Sequence, residues 1–211
     1  MTKIKICGLY RDADIGYVNE AGPDYAGFIL HFPKSHRNLL PEQAAVLRRD
    51  LDPGIRAVGV FVDQPPETVI RAAEDLQLDV IQLHGSEDDG YIDALRAKTG
   101  RAVWKAFRIR TAKDLLAAES CPADHVLLDN GYGTGKAFDW SLASGFHRPF
   151  LLAGGLTPEN IPAAIRQMHP LLVDVSSGVE TDRVKDREKI LAAVRAVRAD
   201  SDNTRYRNSE E

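Results

Sequence analysis

Eight apolar, β-branched runs alternate with eight helical patterns along this chain, and that alternation restricts the fold more than any other feature. The strand candidates are 2–7, Tyr25–Leu30, Arg56–Val62, Asp79–Leu83, Ala102–Phe107, His125–Asp129, Pro149–Ala153 and Leu171–Val175. Helical patterns occupy Asp12–Ala21, Pro41–Asp50, Pro66–Leu76, Asp88–Thr99, Thr111–Glu119, a short stretch after Asp139, Pro158–Met168 and Asp186–Ala199. Pro41-Glu42, Pro66-Glu67 and Pro158-Glu159 read as helix starts. The fixed φ of proline suits a first turn, and the carboxylate meets the positive helix end.

Strands that alternate strictly with helices form a parallel sheet joined by helical crossovers. Runs such as Val58-Gly59-Val60-Phe61-Val62 and Leu171-Leu172-Val173-Asp174-Val175 suit strands covered on both faces. An open, doubly wound α/β sheet would also alternate. Eight evenly spaced units, with no Gly-x-Gly-x-x-Gly turn after the first strand, favour a closed (β/α)8 TIM barrel. The expectation is a single barrel domain over 1–199 and a polar, disordered tail over 200–211. For 211 residues the loops must be lean, so the longer loops Leu30–Leu40 and Asn130–Ala137 stand out as functional candidates.

Composition narrows the function classes. A net charge of −4 provides no basic field for nucleic acid, so an anionic substrate must be held by local groups. No apolar run approaches the ~20 residues that a membrane helix needs. Two cysteines, Cys7 and Cys121, make no disulfide framework, which with the strand at the very start of the sequence points to a reducing, cytoplasmic setting. The histidines show no metal-ligand spacing with Cys or carboxylates, and no cofactor motif occurs.

In a barrel the active site lies at the carboxyl ends of the strands. The groups expected there are Cys7-Gly8 after strand one, Lys34 and Arg37 in the loop after strand two, and His84 after strand four. Strand six adds Asp129, strand seven Gly154-Gly155, and strand eight Asp174 with Ser176-Ser177-Gly178. Gly154, Gly155, Ser177 and Gly178 expose neighbouring backbone N–H groups at the loops where this fold binds phosphate. The bland alternative is a tight turn. Cys7 and Asp129 face one another across the ring, because strands one and six are three apart. A thiolate and a carboxylic acid on opposite sides of a small sugar can move protons, as an isomerisation requires. Read singly, Cys7 is also compatible with a buried inert thiol, and Asp129 with a capping carboxylate. Asp174 approaches from the same side as Cys7 and suits a sugar hydroxyl. His84 can orient substrate, and the planar fork of Arg37 suits a substrate carboxylate.

Eight motifs carry a resemblance. They are Lys3-Ile4-Lys5-Ile6-Cys7-Gly8-Leu9, Pro33-Lys34-Ser35-His36-Arg37, Gly59-Val60-Phe61-Val62 and Gln82-Leu83-His84-Gly85, then Leu127-Leu128-Asp129 and Gly133-Thr134-Gly135-Lys136-x-Phe138-Asp139-Trp140. Ala153-Gly154-Gly155-Leu156-x-Pro158-Glu159-Asn160 and Asp174-Val175-Ser176-Ser177-Gly178-Val179-Glu180 complete the series. In this order, across nearly the whole chain, they resemble the phosphoribosylanthranilate isomerase family of tryptophan biosynthesis. The resemblance implies an Amadori rearrangement of N-(5′-phosphoribosyl)anthranilate without a cofactor. It implies a small phosphosugar as the partner, and a monomer or homodimer. The family's general base matches Cys7, its general acid matches Asp129, and its carboxylate-binding arginine matches Arg37. The chain departs from the family pattern at His36 and Asn38, where a proline and an aromatic are usual, and in a shorter loop at Asn130-Gly131-Tyr132. Two rival readings remain at this point: a related histidine-pathway sugar isomerase, which would carry an aspartate where Cys7 stands, and a non-catalytic phosphosugar-binding barrel.

Overall fold

The structure, a computed structural model, describes residues 1–129 and 145–207. Among these, eight parallel strands close into a ring. They are β1 (Lys3–Cys7), β2 (Tyr25–Leu30), β3 (Arg56–Phe61), β4 (Val80–Leu83), β5 (Ala102–Arg108), β6 (His125–Asp129), β7 (Phe150–Leu152) and β8 (Leu172–Val175). Each pairs with its successor in the chain, and β1 pairs with both β2 and β8, which closes the barrel. The helices α1 (Asp12–Ala21), α2 (Pro41–Asp50), α3 (Pro66–Asp75), α4 (Asp89–Thr99), α5 (Ala112–Ser120), α6 (Ile161–Met168) and α7 (Arg187–Arg207) surround it. The expected barrel is therefore the observed one, and each strand end falls within a residue of its expected place.

Two helix boundaries differ from expectation by more than one residue. Pro158-Glu159 does not open α6, which starts at Ile161. The Asn160 side chain ties the preceding residues into a turn, donating to Gly155 O at 2.8 Å and accepting from Thr157 N at 2.8 Å. At the other end, α7 runs on through Arg207, past the expected end at Ala199. Extending a nucleated helix adds a hydrogen bond per residue without a new nucleation cost, so polar residues can follow a packed segment. The loop at 130–137, its glycines, the short helix after Asp139 and residues 208–211 lie outside the described residues.

The barrel holds two apolar layers. Outward-facing strand residues such as Ile4, Ile6, Phe28, Phe61, Ile81 and Leu128 pack against the helices and are almost wholly buried. Each such side chain contributes about 1.5–3 kcal/mol relative to exposure. Inside the ring, Tyr25, Val58, Val80, Trp104, Leu127, Leu151 and Leu172 form a plug, with Tyr25 and Trp104 edge to face at 5.1 Å. Two residues further along three of these strands, the inward position turns polar: Gln82 follows Val80, Asp129 follows Leu127, and Asp174 follows Leu172. On β1, Lys5 and Cys7 lie on this same inward face. The alternation of the strands thus confines polarity to the carboxyl-end mouth.

Candidate active site

The mouth is built from the ends of β1, β4, β6 and β8 and the loops that follow β2, β7 and β8. Cys7 ends β1 and is 7 % exposed. Its Cα partner on β2 is Gly27, and its carbonyl accepts a hydrogen bond from Ser176 Oγ at 3.1 Å. Burial pushes the Cys7 thiol above its ordinary value, opposed by the positive charge of Lys5. Lys5 is wholly buried, and its Nζ donates to Asp174 Oδ2 at 2.8 Å. Burial alone would lower its affinity for the proton. Asp174 and Cys7 outweigh that effect and hold the ammonium above its usual value. Breaking a buried pair of this kind typically costs about 3–5 kcal/mol.

Across the ring, Asp129 ends β6 with its Oδ2 3.2 Å from His84 Nε2. His84 Nδ1 lies 3.4 Å from Gln82 Nε2; with that amide nitrogen as donor, Nδ1 accepts and Nε2–H faces Asp129. Gln82 is 1 % exposed and stiffens this chain from below. The structure therefore places Cys7 and Asp129 on opposed strands of one rim, with the imidazole of His84 joined to the carboxylate.

The loop after β2 crosses to the β1 rim. Gly8 has φ 76° and lies under Arg37, whose Cδ would overlap any Cβ placed there. Arg37 then reaches Glu180, with Nε donating to Oε1 at 2.6 Å and Nη2 to Oε2 at 2.7 Å. Glu180 also accepts from Lys185 Nζ at 2.7 Å. Burial would raise the Glu180 carboxyl, but Arg37 and Lys185 hold it down at about 2. Glu180 and Lys185 sit on a two-stranded antiparallel piece, Glu180–Thr181 with Val184–Lys185, that carries no strand signal in sequence. Asn38, one of the two departures from the family pattern, closes the β2 loop: its Oδ1 accepts from Phe32 N at 2.5 Å. His36, the other, meets the Tyr10 ring edge to face at 6.1 Å.

The β7 and β8 loops lie against each other. Gly154 and Gly155 have φ of 92° and 65°, a region that side-chain-bearing residues rarely enter. Among the described residues, their N–H groups donate to no backbone carbonyl. Ser177–Val179 forms a single 3-10 turn after β8. A Cβ on Gly178 would overlap the Leu156 carbonyl oxygen, so the two loops can touch only because residue 178 is glycine. Gly178→Ala is therefore expected to push the loops apart; if their amides together hold a substrate phosphate, KM rises about ten- to hundredfold, the loss of one or two charge-assisted hydrogen bonds. Steady-state kinetics checks this, and an unchanged KM would count against the two loops forming one site.

Lys5, Gln82, Glu180 and Lys185 escaped the sequence reading. Lys5 had a usable signal, because strand alternation puts it on the face of Cys7. Glu180 and Lys185 had none beyond the motif containing Glu180.

A family model described as N-(5′-phosphoribosyl)anthranilate (PRA) isomerase matches residues 4–196. The N-(5′-phosphoribosyl)anthranilate isomerase of Thermoanaerobacter sp. (strain X514) is 45% identical over 205 residues, covering 94% of this chain and 98% of that protein. Its counterpart from Endomicrobium trichonymphae is 43% identical, covering 94% of this chain and 100% of its own. The fold superposes on the crystal structure of the Thermotoga maritima isomerase with a TM-score of 0.86 at 36% identity, covering 94% and 100% of the two chains. A phosphoribosyl anthranilate isomerase solved in complex with reduced 1-(O-carboxyphenylamino)-1-deoxyribulose 5-phosphate superposes with a TM-score of 0.85 at 34% identity, with the same coverage. A 3-hexulose-6-phosphate synthase at 12% identity and TM-score 0.70 shares the fold alone. By sequence and by fold, this chain belongs to the N-(5′-phosphoribosyl)anthranilate isomerase family.

Proposed function

We propose that this chain isomerises N-(5′-phosphoribosyl)anthranilate to 1-(2-carboxyphenylamino)-1-deoxyribulose 5-phosphate, with Asp129 as general acid and Cys7 as general base. The observation that carries the assignment of roles is the pairing of a buried thiol on β1 with an imidazole-linked carboxylate on β6, across one barrel mouth. In this reading Asp129 protonates the ribose ring oxygen. The C1′–O bond opens and leaves a protonated Schiff base. The Cys7 thiolate then removes the proton on C2′, and the freed electron pair forms the C1′=C2′ bond of an enolamine. Tautomerisation moves the enol proton to C1′ and yields the ketone, and passage of the proton gained by Cys7 through solvent to the Asp129 carboxylate resets both groups. Each proton transfer of this kind contributes about 10²–10⁴-fold.

The remaining candidates position the substrate. The amides of Gly154, Gly155, Ser177 and Gly178 hold the phosphate. His84 fixes the orientation of Asp129. Asp174, beside Lys5 at the carboxyl end of β8, binds a ribose hydroxyl. Arg37 takes the anthranilate carboxylate with the guanidinium edge that Glu180 does not engage. Arg37→Ala is expected to raise KM about ten- to hundredfold, the weight of a charge-assisted pair, and to leave kcat nearly unchanged. A fall in kcat at constant KM would refute this role.

The reading as a whole is tested by supplying purified chain with N-(5′-phosphoribosyl)anthranilate and following the ketone product by mass spectrometry. The gene should also restore growth without tryptophan to a strain lacking this step. Failure of both would overturn the assignment.

A further inference from the structure

We infer that Lys5 is the counter-cation of the Cys7 thiolate, and that Asp174 holds the Lys5 ammonium ready beside the sulfur when Cys7 is protonated. Lys5 and Cys7 are two residues apart on β1 and so share the inward face of the barrel. The strand register sets Asp174 of β8 directly opposite Lys5, and Gly27 of β2 directly opposite Cys7. A Cβ on Gly27 would come to 2.8 Å from Lys5 Cε and 2.9 Å from Cys7 Sγ. The lysine stem and the sulfur therefore lie against one bare patch of β2 that only glycine leaves open. The ammonium donates to Asp174 Oδ2 at 2.8 Å, and its positive charge acts on the Cys7 sulfur.

A lysine with no exposed surface cannot take counter-charge from solvent, so these two groups must neutralise it. While Cys7 is a thiol, the carboxylate neutralises the ammonium. Once Cys7 has ionised, the three groups carry one net negative charge, and Lys5 is the cation that acts most strongly on the sulfur. When the thiolate accepts the C2′ proton it becomes neutral, and the ammonium falls back to Asp174. The charged groups that act on the sulfur are Lys5 on its own strand, Asp174 on β8, Lys185 of the antiparallel piece and Arg37 of the β2 loop. Glu180 engages both Lys185 and Arg37, and of the cations Lys5 acts most strongly on the sulfur. Lys5 is thus a positioning residue that acts through Cys7.

This inference rests on the reading of Cys7 as the base, and its test is independent of turnover. Alkylation by iodoacetamide forms a bond from the thiolate sulfur to carbon with loss of iodide, so its rate follows ionisation of the thiol. Peptide mass spectrometry reads Cys7 and Cys121 separately. Cys121 is also free and buried, and its slow labelling certifies that a variant is folded. Asp174→Asn removes the competing carboxylate and is expected to lower the pH midpoint of Cys7 alkylation. Adding Lys5→Met in that background avoids a stranded buried carboxylate. It should raise the midpoint by about one to three pH units, the effect of losing one opposite charge at contact distance. Adding Lys5→Arg instead should keep the midpoint near that of Asp174→Asn. Equal midpoints in Asp174→Asn with and without Lys5→Met would overturn the inference, even if turnover falls. If the midpoints move as expected while Cys7→Ala retains turnover, the electrostatic assignment stands and the base assignment fails.

Discussion

Cys7→Ala is expected to lower kcat by about 10²–10⁴-fold while the barrel stays folded. The thiol is the only group on β1 at the rim that can take a proton from carbon. Lys5, on the same face, is held as an ammonium and cannot accept one. Removing the sulfur therefore leaves the C2′ proton without a base. Substrate binding should change little, because the β7 and β8 loops proposed to hold the phosphate, and Arg37, belong to other elements. The fold should survive, since Cys7 lies outside both the plug within the ring and the packed layer beneath the helices. Steady-state kinetics, with circular dichroism as the folding check, gives the answer. Turnover within a few-fold of the parent would remove Cys7 from the mechanism.

The second large effect is expected at Asp129→Asn, again about 10²–10⁴-fold in kcat. Asparagine keeps the size of the side chain and a carbonyl oxygen for His84 Nε2–H, whose present acceptor lies at 3.2 Å. What it cannot do is deliver a proton to the ribose ring oxygen. A loss confined to kcat would therefore isolate acid catalysis from positioning. If the effect were instead carried by KM, Asp129 would be a binding group and the acid would have to be sought elsewhere. Cys7→Ala combined with Asp129→Asn should not multiply the two losses in full, because ring opening and proton abstraction are successive steps on one substrate.

Much of the barrel was legible in the chain because parallel strands buried on both faces are written as continuous apolar runs. The period-two pattern also put Cys7 and Asp129 at strand ends, and the ring order then set them three strands apart. Contacts between residues remote in sequence were a different matter. Lys5 meets Asp174 across 169 positions, and Arg37 meets Glu180 across 143. No local pattern encodes such pairs, because they exist only once β8 closes against β1 and the last loop folds back over the mouth. Asn38 shows the same limit on a smaller scale. As a departure from the family motif it reads as a lost aromatic, whereas in the structure its Oδ1 accepts a hydrogen bond from Phe32 N that shuts the β2 loop. The start of α6 was misplaced for a related reason. Proline marks a first turn in general, but here the Asn160 side chain competes for the backbone and delays the helix.

The sequence alone determined the number and order of the strands, and it set Cys7 and Asp129 at the carboxyl ends of strands three apart in the ring. Each follows from short-range periodicity and the geometry of a closed parallel sheet. Only the tertiary structure decided which charge neutralises which at the mouth: Lys5 with Asp174 beside Cys7, and Arg37 with Glu180 and Lys185 over Gly8. Ion pairing depends on separations of a few ångströms between chain-distant groups, and ring closure is what brings those groups within reach.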